Sequence, residues 1–170
     1  HIESIEVQEE NTSFDISLIA NSQNMLTSQA NIDFGMTIRT PMIEMTTIGA
    51  GGGSIAHIDS TGLLEIGPES AGSDPGPACY GFGNDRPTVT DANLVLGRID
   101  ANNPIGGKQK SLDYDAATRA VDNHIAKKLN LSIHDAAEAI IKVANAKMSG
   151  AIRLISIERG YDPKKFALMP

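Results

Sequence analysis

Residues 47–91 read TIGAGGGSIAHIDSTGLLEIGPESAGSDPGPACYGFGNDRPTVTD, and ten of the chain's 16 glycines and four of its eight prolines fall between Gly49 and Pro87. Glycine reaches backbone conformations that other residues resist and lets a ligand come close to bare N–H groups. Proline fixes the turns in between. A core needs no such stretch, so its shape points to a binding surface. Within it, Ser54–Asp59 and Leu63–Ile66 flank Ser60-Thr61-Gly62 and predict a small hairpin. Residues 67–87 have no periodicity, and a loop of that length in a compact domain is uncommon unless it is functional. Ala78, Cys79 and Tyr80 set among Gly and Pro favour an ordered loop.

On the N-terminal side, Ile2–Val7 and Phe14–Ile19 alternate apolar and polar residues, and Thr37–Ile48 is rich in Thr, Ile and Met. These predict three antiparallel strands over residues 1–48. Asn21-Ser22 and Asp33-Phe34-Gly35 supply the turns. On the C-terminal side, residues 92–170 turn helical. Thr90 or Asp91 is the expected cap of a short helix through Leu96, ended by Gly97. Asp113 or Asp115 starts a second helix, with Ala117, Val121, Ile125 and Leu129 on one face. Ser132 with Asp135 resembles a capping box ahead of a third helix running to about Arg159. Its apolar set (Ala137, Ile140, Ile141, Ala144, Met148, Ala151, Ile152, Ile155) follows the 3.6-residue period. Gly160 ends it, and residues 166–169 predict a further strand. Strands, glycine loop, helices, strand make an α/β order.

The chain has 170 residues, 41% of them apolar and 21% charged, with no tryptophan and one cysteine. One domain is the default at that length. The net charge of −7 argues against nucleic acid or an anionic membrane as partner. There is no apolar run of membrane-spanning length. A single thiol, Cys79, forms no internal disulfide and suits a reducing cytoplasm. A start at His1 and an end at Pro170, just after an apolar FALM, give the expectation of a piece of a longer polypeptide.

Gly49-Ala50-Gly51-Gly52-Gly53-Ser54 follows an expected strand, where successive N–H groups can make an anion-binding nest for phosphate or carboxylate. The other reading is a tight bend between strands. No Gly-Lys-Ser/Thr follows, which excludes a Walker A loop, and a strand follows where a dinucleotide fingerprint needs a helix. His57 and Asp59 beside the loop either face a metal or phosphate or form an ordinary hairpin surface. Asp91 is either a site acid or a helix cap, and Cys79 either a chemical group or a packed thiol.

The motif TIGAGGGSIAHID…GLLEIGPESAGSDPGPACYGFGNDRPTVTDANLVLGRID resembles the signature region of the hydantoinase A / oxoprolinase family. MSGAIRLISIERGYDPKKFALMP resembles that family's later helix and strand. The family includes ATP-dependent hydantoinases, 5-oxoprolinases and ATP-hydrolysing subunits of acetone and acetophenone carboxylases. The resemblance implies a ribonuclease-H-like half-domain of the actin, sugar-kinase and heat-shock ATPase superfamily. It also implies use of ATP and Mg, an amide, lactam or ketone substrate, and partners in the rest of the parent chain and a hydantoinase B-type subunit.

By the same resemblance Gly49, Gly51, Gly52, Gly53 and Ser54 stabilise phosphate charge, and Asp15 or Asp59 orients metal-bound water. A second phosphate loop of the form D-x-G-G-T-x-x-D is expected at residues 8–15. Here Thr12, Ser13 and Asp15 match, while Gln8, Glu10 and Asn11 replace the leading acid and both glycines. A glutamate there sets negative charge where phosphate would approach. The family's adenosine-contacting segment lies beyond Pro170, so the fragment alone is expected to hold no nucleotide tightly. Two other readings stay open: a non-catalytic subunit-interaction domain, and an anion-binding module without hydrolysis.

Overall fold

The computed structural model describes residues 4–9, 13–21, 23–28, 30–31, 37–104 and 109–169. The chain divides into two compact units, one of His1–Gln8, Phe14–Ile48 and Ser149–Pro170, the other of Glu9–Ser13 and Gly49–Met148.

The first unit is built on a mixed sheet. Strands β1 (Ser4–Glu9) and β2 (Phe14–Ala20) lie side by side, with β3 (Gln23–Asn24) antiparallel on the far side of β2. Phe14, Ile16 and Leu18 on β2 are buried, and so is Ser17. The strand is therefore covered on both faces, and its interior is apolar. The expected third strand over Thr37–Ile48 is divided. It comprises β6 (Thr37–Ile38), β7 (Met42–Ile43) and β8 (Met45–Ile48). Only β8 reaches β2, pairing Phe14 with Ile48 and Ser17 with Met45. Strand β6 pairs with β5 (Ala30–Asn31), and β7 with β4 (Leu26–Thr27). Pro41 lies at the break; it has no N–H for a ladder and so interrupts the pairing there. The expected turns at Asp33-Phe34-Gly35 and Ser22 lie outside the described residues. Strand β11 (Ala167–Met169) runs parallel to β1, Ser4 opposite Ala167. Ahead of it, Arg159 forms a bidentate ion pair with Glu44, and the Tyr161 and Phe166 rings meet edge to face at 5.7 Å.

The second unit holds the hairpin β9 (Ser54–Ile58) and β10 (Leu64–Ser70), with His57 opposite Glu65. Helices α1 (Val89–Val95), α2 (Tyr114–Val121), α3 (Lys127–Leu129) and the first part of α4 (Ile133–Ser156) pack with it. One π-helical turn, 122–126, joins α2 to α3. The core contains Ala56 and Ile66 from the hairpin, Val89 and Ala92 from α1, Val121, and Ala136, Ala137, Ile140, Ile141 and Ala144 from α4. Alanine at so many contact positions lets helix and hairpin backbones approach closely, and this replaces the bulk that aromatic residues give other cores.

The cap of α1 is Thr88, earlier than the expected Thr90 or Asp91. Thr88 is extended, its Oγ1 accepts from the Asp91 amide, and the Asp91 carboxylate accepts from the Thr88 amide. Asp91 is thus the far half of a capping box. Asp113 caps α2 by accepting from the Ala116 amide, and Ser132 pairs with Asp135 ahead of α4. Gly160, at φ +82°, follows the final turn.

Candidate functional site

Strand β8 ends at Ile48 and β9 begins at Ser54, so Gly49–Gly53 is a five-residue connection. Its carbonyls are held one after another. The Gly49 oxygen accepts from Lys147 Nζ at 3.3 Å, and the Gly51 oxygen from the Ser54 amide at 3.0 Å. The Gly52 oxygen accepts from the amide and Oγ1 of Thr90, at 2.9 and 3.0 Å. The Gly53 oxygen accepts from the Ala71 amide at 2.9 Å and Ser70 Oγ at 3.2 Å. These peptides are trans, since the cis bonds found among the described residues are Gly67-Pro68 and Asp74-Pro75. In a planar trans peptide the N–H points opposite to the C=O. Anchoring the carbonyls of Gly49, Gly51 and Gly52 therefore turns the amides of Ala50, Gly52 and Gly53 the other way. The remaining donors close the loop on itself: the Gly51 amide donates to Ser54 Oγ at 2.9 Å.

None of Gly49, Gly51, Gly52 and Gly53 has positive φ. Any nest of the kind expected from composition is here without left-handed residues, and each of these amides points away from a held carbonyl. What the glycines provide is room. A Cβ on Gly52 would stand 2.8 Å from Thr90 Oγ1, and one on Gly67, at φ +64°, 2.5 Å from the Gly49 oxygen.

The expected site residues separate. Ser13, half-buried, belongs to the same compact unit as the glycine loop. Thr12 lies outside the described residues, as do Glu10 and Asn11. Asp15 lies on β2 in the other unit, where its carboxylate accepts from Thr47 Oγ1. Asp59 opens the β9–β10 turn. Its Oδ1 accepts from the Thr61 amide, Thr61 Oγ1 and the Leu63 amide, each at 2.8 Å. These bonds, that from Leu63 foremost, hold its carboxyl below the ordinary aspartate value. His57 faces Glu65 across the hairpin at 3.9 Å. Among the described residues no three His, Cys, Asp or Glu side chains are grouped to hold a metal ion.

Asp91 and Cys79 belong to the loop's support. The Asp91 carboxylate is wholly buried and accepts from the amides of Ala78, Cys79 and Thr88 and from Thr88 Oγ1. It ties the Gly/Pro loop at 77–80 to the start of α1. Burial first, and the Asp91 charge second, push the Cys79 thiol far above its ordinary pKa, so it stays protonated and inert. Thr90 and Lys147, which hold the glycine carbonyls, carried no signal of this role. Their partners are 38 and 98 residues away in sequence.

The hydantoinase/oxoprolinase family profile matches residues 11–170. The caprolactamase alpha subunit of Pseudomonas jessenii is 47% identical over 93% of this chain, and the acetophenone carboxylase gamma subunit of Aromatoleum aromaticum 40% over 92%. The crystal structure of the ATP-dependent caprolactamase from Pseudomonas jessenii superposes with a TM-score of 0.87 at 46% identity, over 98% of this chain and 24% of that one. The chain spans 22% and 21% of the two relatives' lengths. No described helix is long and apolar enough to cross a membrane. With a matching profile over nearly its whole length and a shared mixed α/β fold, the chain belongs to the hydantoinase/oxoprolinase family.

Proposed function

We propose that this chain is part of a ribonuclease-H-like half-domain in an ATP-hydrolysing subunit, and that its Gly49–Gly53 loop receives the nucleotide's phosphates. The supporting observation is that the Ala50, Gly52 and Gly53 amides each point away from a carbonyl that is held. Backbone donors fixed in advance stabilise anionic oxygens without reorganising. ATP arrives as its magnesium complex, as substrate. Thr12 and Ser13 belong to the stretch of sequence that the resemblance assigns to phosphate. The resemblance assigns Asp15 or Asp59 to orient metal-bound water, and each carboxylate accepts from a threonine hydroxyl here, of Thr47 and Thr61 respectively. ATP hydrolysis then activates an amide, lactam or ketone in the parent protein, with a B-type subunit as partner, in the cytoplasm. The similarity to caprolactamase and carboxylase subunits supports this class of substrate.

A subunit-interaction domain without hydrolysis is the second reading, favoured by Gln8, Glu10 and Asn11 in place of the phosphate-loop acid and glycines. ATP titration of the full-length parent protein with its partner subunit, followed by phosphate release with and without a lactam, separates the two. Saturable ATP binding with substrate-stimulated release is expected. A folded complex that binds no ATP overturns the enzyme reading.

A further inference from the structure

We propose that Lys147 is a positioning residue for the phosphate contacts of the glycine loop, a role that rests on the ATP reading above. Lys147 lies on α4, and its Nζ donates to the Ile66 oxygen at 2.8 Å and the Gly49 oxygen at 3.3 Å. The two carbonyls belong to chain segments that meet too closely for a side chain. A Cβ on Gly67 would lie 2.5 Å from the Gly49 oxygen and 3.6 Å from the ammonium itself. Two carbonyl dipoles converging on one point repel each other unless a cation lies between them.

The ammonium also sets a direction. Gripping the Gly49 oxygen points the Ala50 N–H the opposite way across a planar peptide, which aims the first donor of the loop. Thr90 does the same for the Gly53 amide through the Gly52 oxygen. Lys147 differs from Thr90 in bringing a charge. Lys142 and Lys127 are paired with Glu138 and Asp122, whereas among the described residues Lys147 faces only carbonyls within ion-pair distance. Among the described residues no carboxylate cancels its positive charge, which lies on the carbonyl side of the Gly49–Ala50 peptide, opposite the Ala50 N–H.

A simple staple between helix and loop would affect melting and leave ligand affinity alone. The test uses the full-length parent protein with its partner subunit, and the variants Lys147→Met, Lys147→Arg and Lys142→Met. Lys147→Met is expected to raise the KM for ATP about tenfold with kcat within about twofold, because a contact made equally in ground and transition states moves KM. Its Tm should fall as well, because two carbonyls lose a charged donor, and the rise in KM is the readout that a staple alone would not give. Lys147→Arg should recover most of the affinity, and Lys142→Met should leave it unchanged. An unchanged KM in Lys147→Met, or a KM change that tracks an equal loss in Lys142→Met, overturns the role of Lys147 while leaving the ATP reading standing. If the wild-type complex binds no ATP, both fall together.

Discussion

Replacing Asp91 by asparagine removes a charge and swaps one acceptor for a donor at a wholly buried position. The Asp91 Oδ2 accepts three bonds, from the Ala78 amide at 3.1 Å, the Thr88 amide at 2.9 Å and Thr88 Oγ1 at 2.8 Å. The Oδ1 accepts one, from the Cys79 amide at 2.8 Å. An asparagine does best by keeping its oxygen at the three-donor position, which turns its NH₂ toward the Cys79 N–H. Two donors then face each other, and a buried amide loses its acceptor, at about 1–3 kcal/mol. The three surviving bonds lose their charge assistance, about half their strength. The sum is about 3 kcal/mol. At about 2–4 °C per kcal/mol for a chain of this size, the melting temperature should drop by about 6–12 °C. Thermal unfolding by circular dichroism measures this, and amide hydrogen exchange localises it. Exchange should quicken at Cys79 before it does elsewhere in the second unit. Asp91→Ala, which orphans every donor, should cost more than Asp91→Asn. A Tm within about 2 °C of wild type in Asp91→Asn, with Cys79 protection unchanged, would refute the account of Asp91 as the tie between loop and helix.

Gly52→Ala places a Cβ 2.8 Å from Thr90 Oγ1 and should destabilise by about 1–3 kcal/mol, with part of that loss recovered in the Gly52→Ala/Thr90→Ala double variant by urea titration. If the two losses merely add, the contact is not the cause. The Cys79 thiol should resist alkylation in native protein at pH 8.5 and react once unfolded, as mass spectrometry reads. Its raised pKa means the folded state keeps a proton the unfolded state releases, so this contribution is present below pH 9.0 and declines as pH rises above it. Asp59, lowered from 3.8, has the opposite sign: its turn is stabilised above that pH and weakens on acidification, visible as faster exchange of the Leu63 amide in acid. In the full-length protein one of Asp15→Asn and Asp59→Asn should cut ATP hydrolysis at least tenfold with Tm little changed, which identifies the metal-facing acid. Full hydrolysis in both variants would remove that role from either residue.

The helical half was legible because its signals are local. Asp113, the Ser132–Asp135 pair and Gly160 act within one turn of where they stand, and the apolar spacing along α4 reports a face directly. The first helix was misplaced by its cap for a local reason as well. Thr88, Thr90 and Asp91 are all capping residues, and only the extended backbone at Thr88 distinguishes them. The single strand expected at Thr37–Ile48 failed where Thr40-Pro41 breaks the ladder, a signal present in the sequence and outweighed by the β-branched residues around it. The glycine loop was located by composition, but its geometry was not. Glycine content predicts positive φ, whereas none of these four has it, and Gly52 leaves space for Thr90. Lys147 was invisible because its partners are backbone carbonyls, which every residue possesses and no pattern marks.

The gripping of Gly49, Gly51, Gly52 and Gly53 by their carbonyls also bears on how fast an anion can be captured. A flexible loop that orders around its ligand loses about 1–2 kcal/mol of backbone entropy per residue at the moment of binding. Here that ordering is complete when the chain folds, because Lys147, Thr90, Ser70 and Ala71 already hold the backbone. Capture should then be a single bimolecular step, its observed rate linear in ligand concentration and without a slower unimolecular phase. Its enthalpy should come from the donors themselves, undiluted by the cost of arranging them.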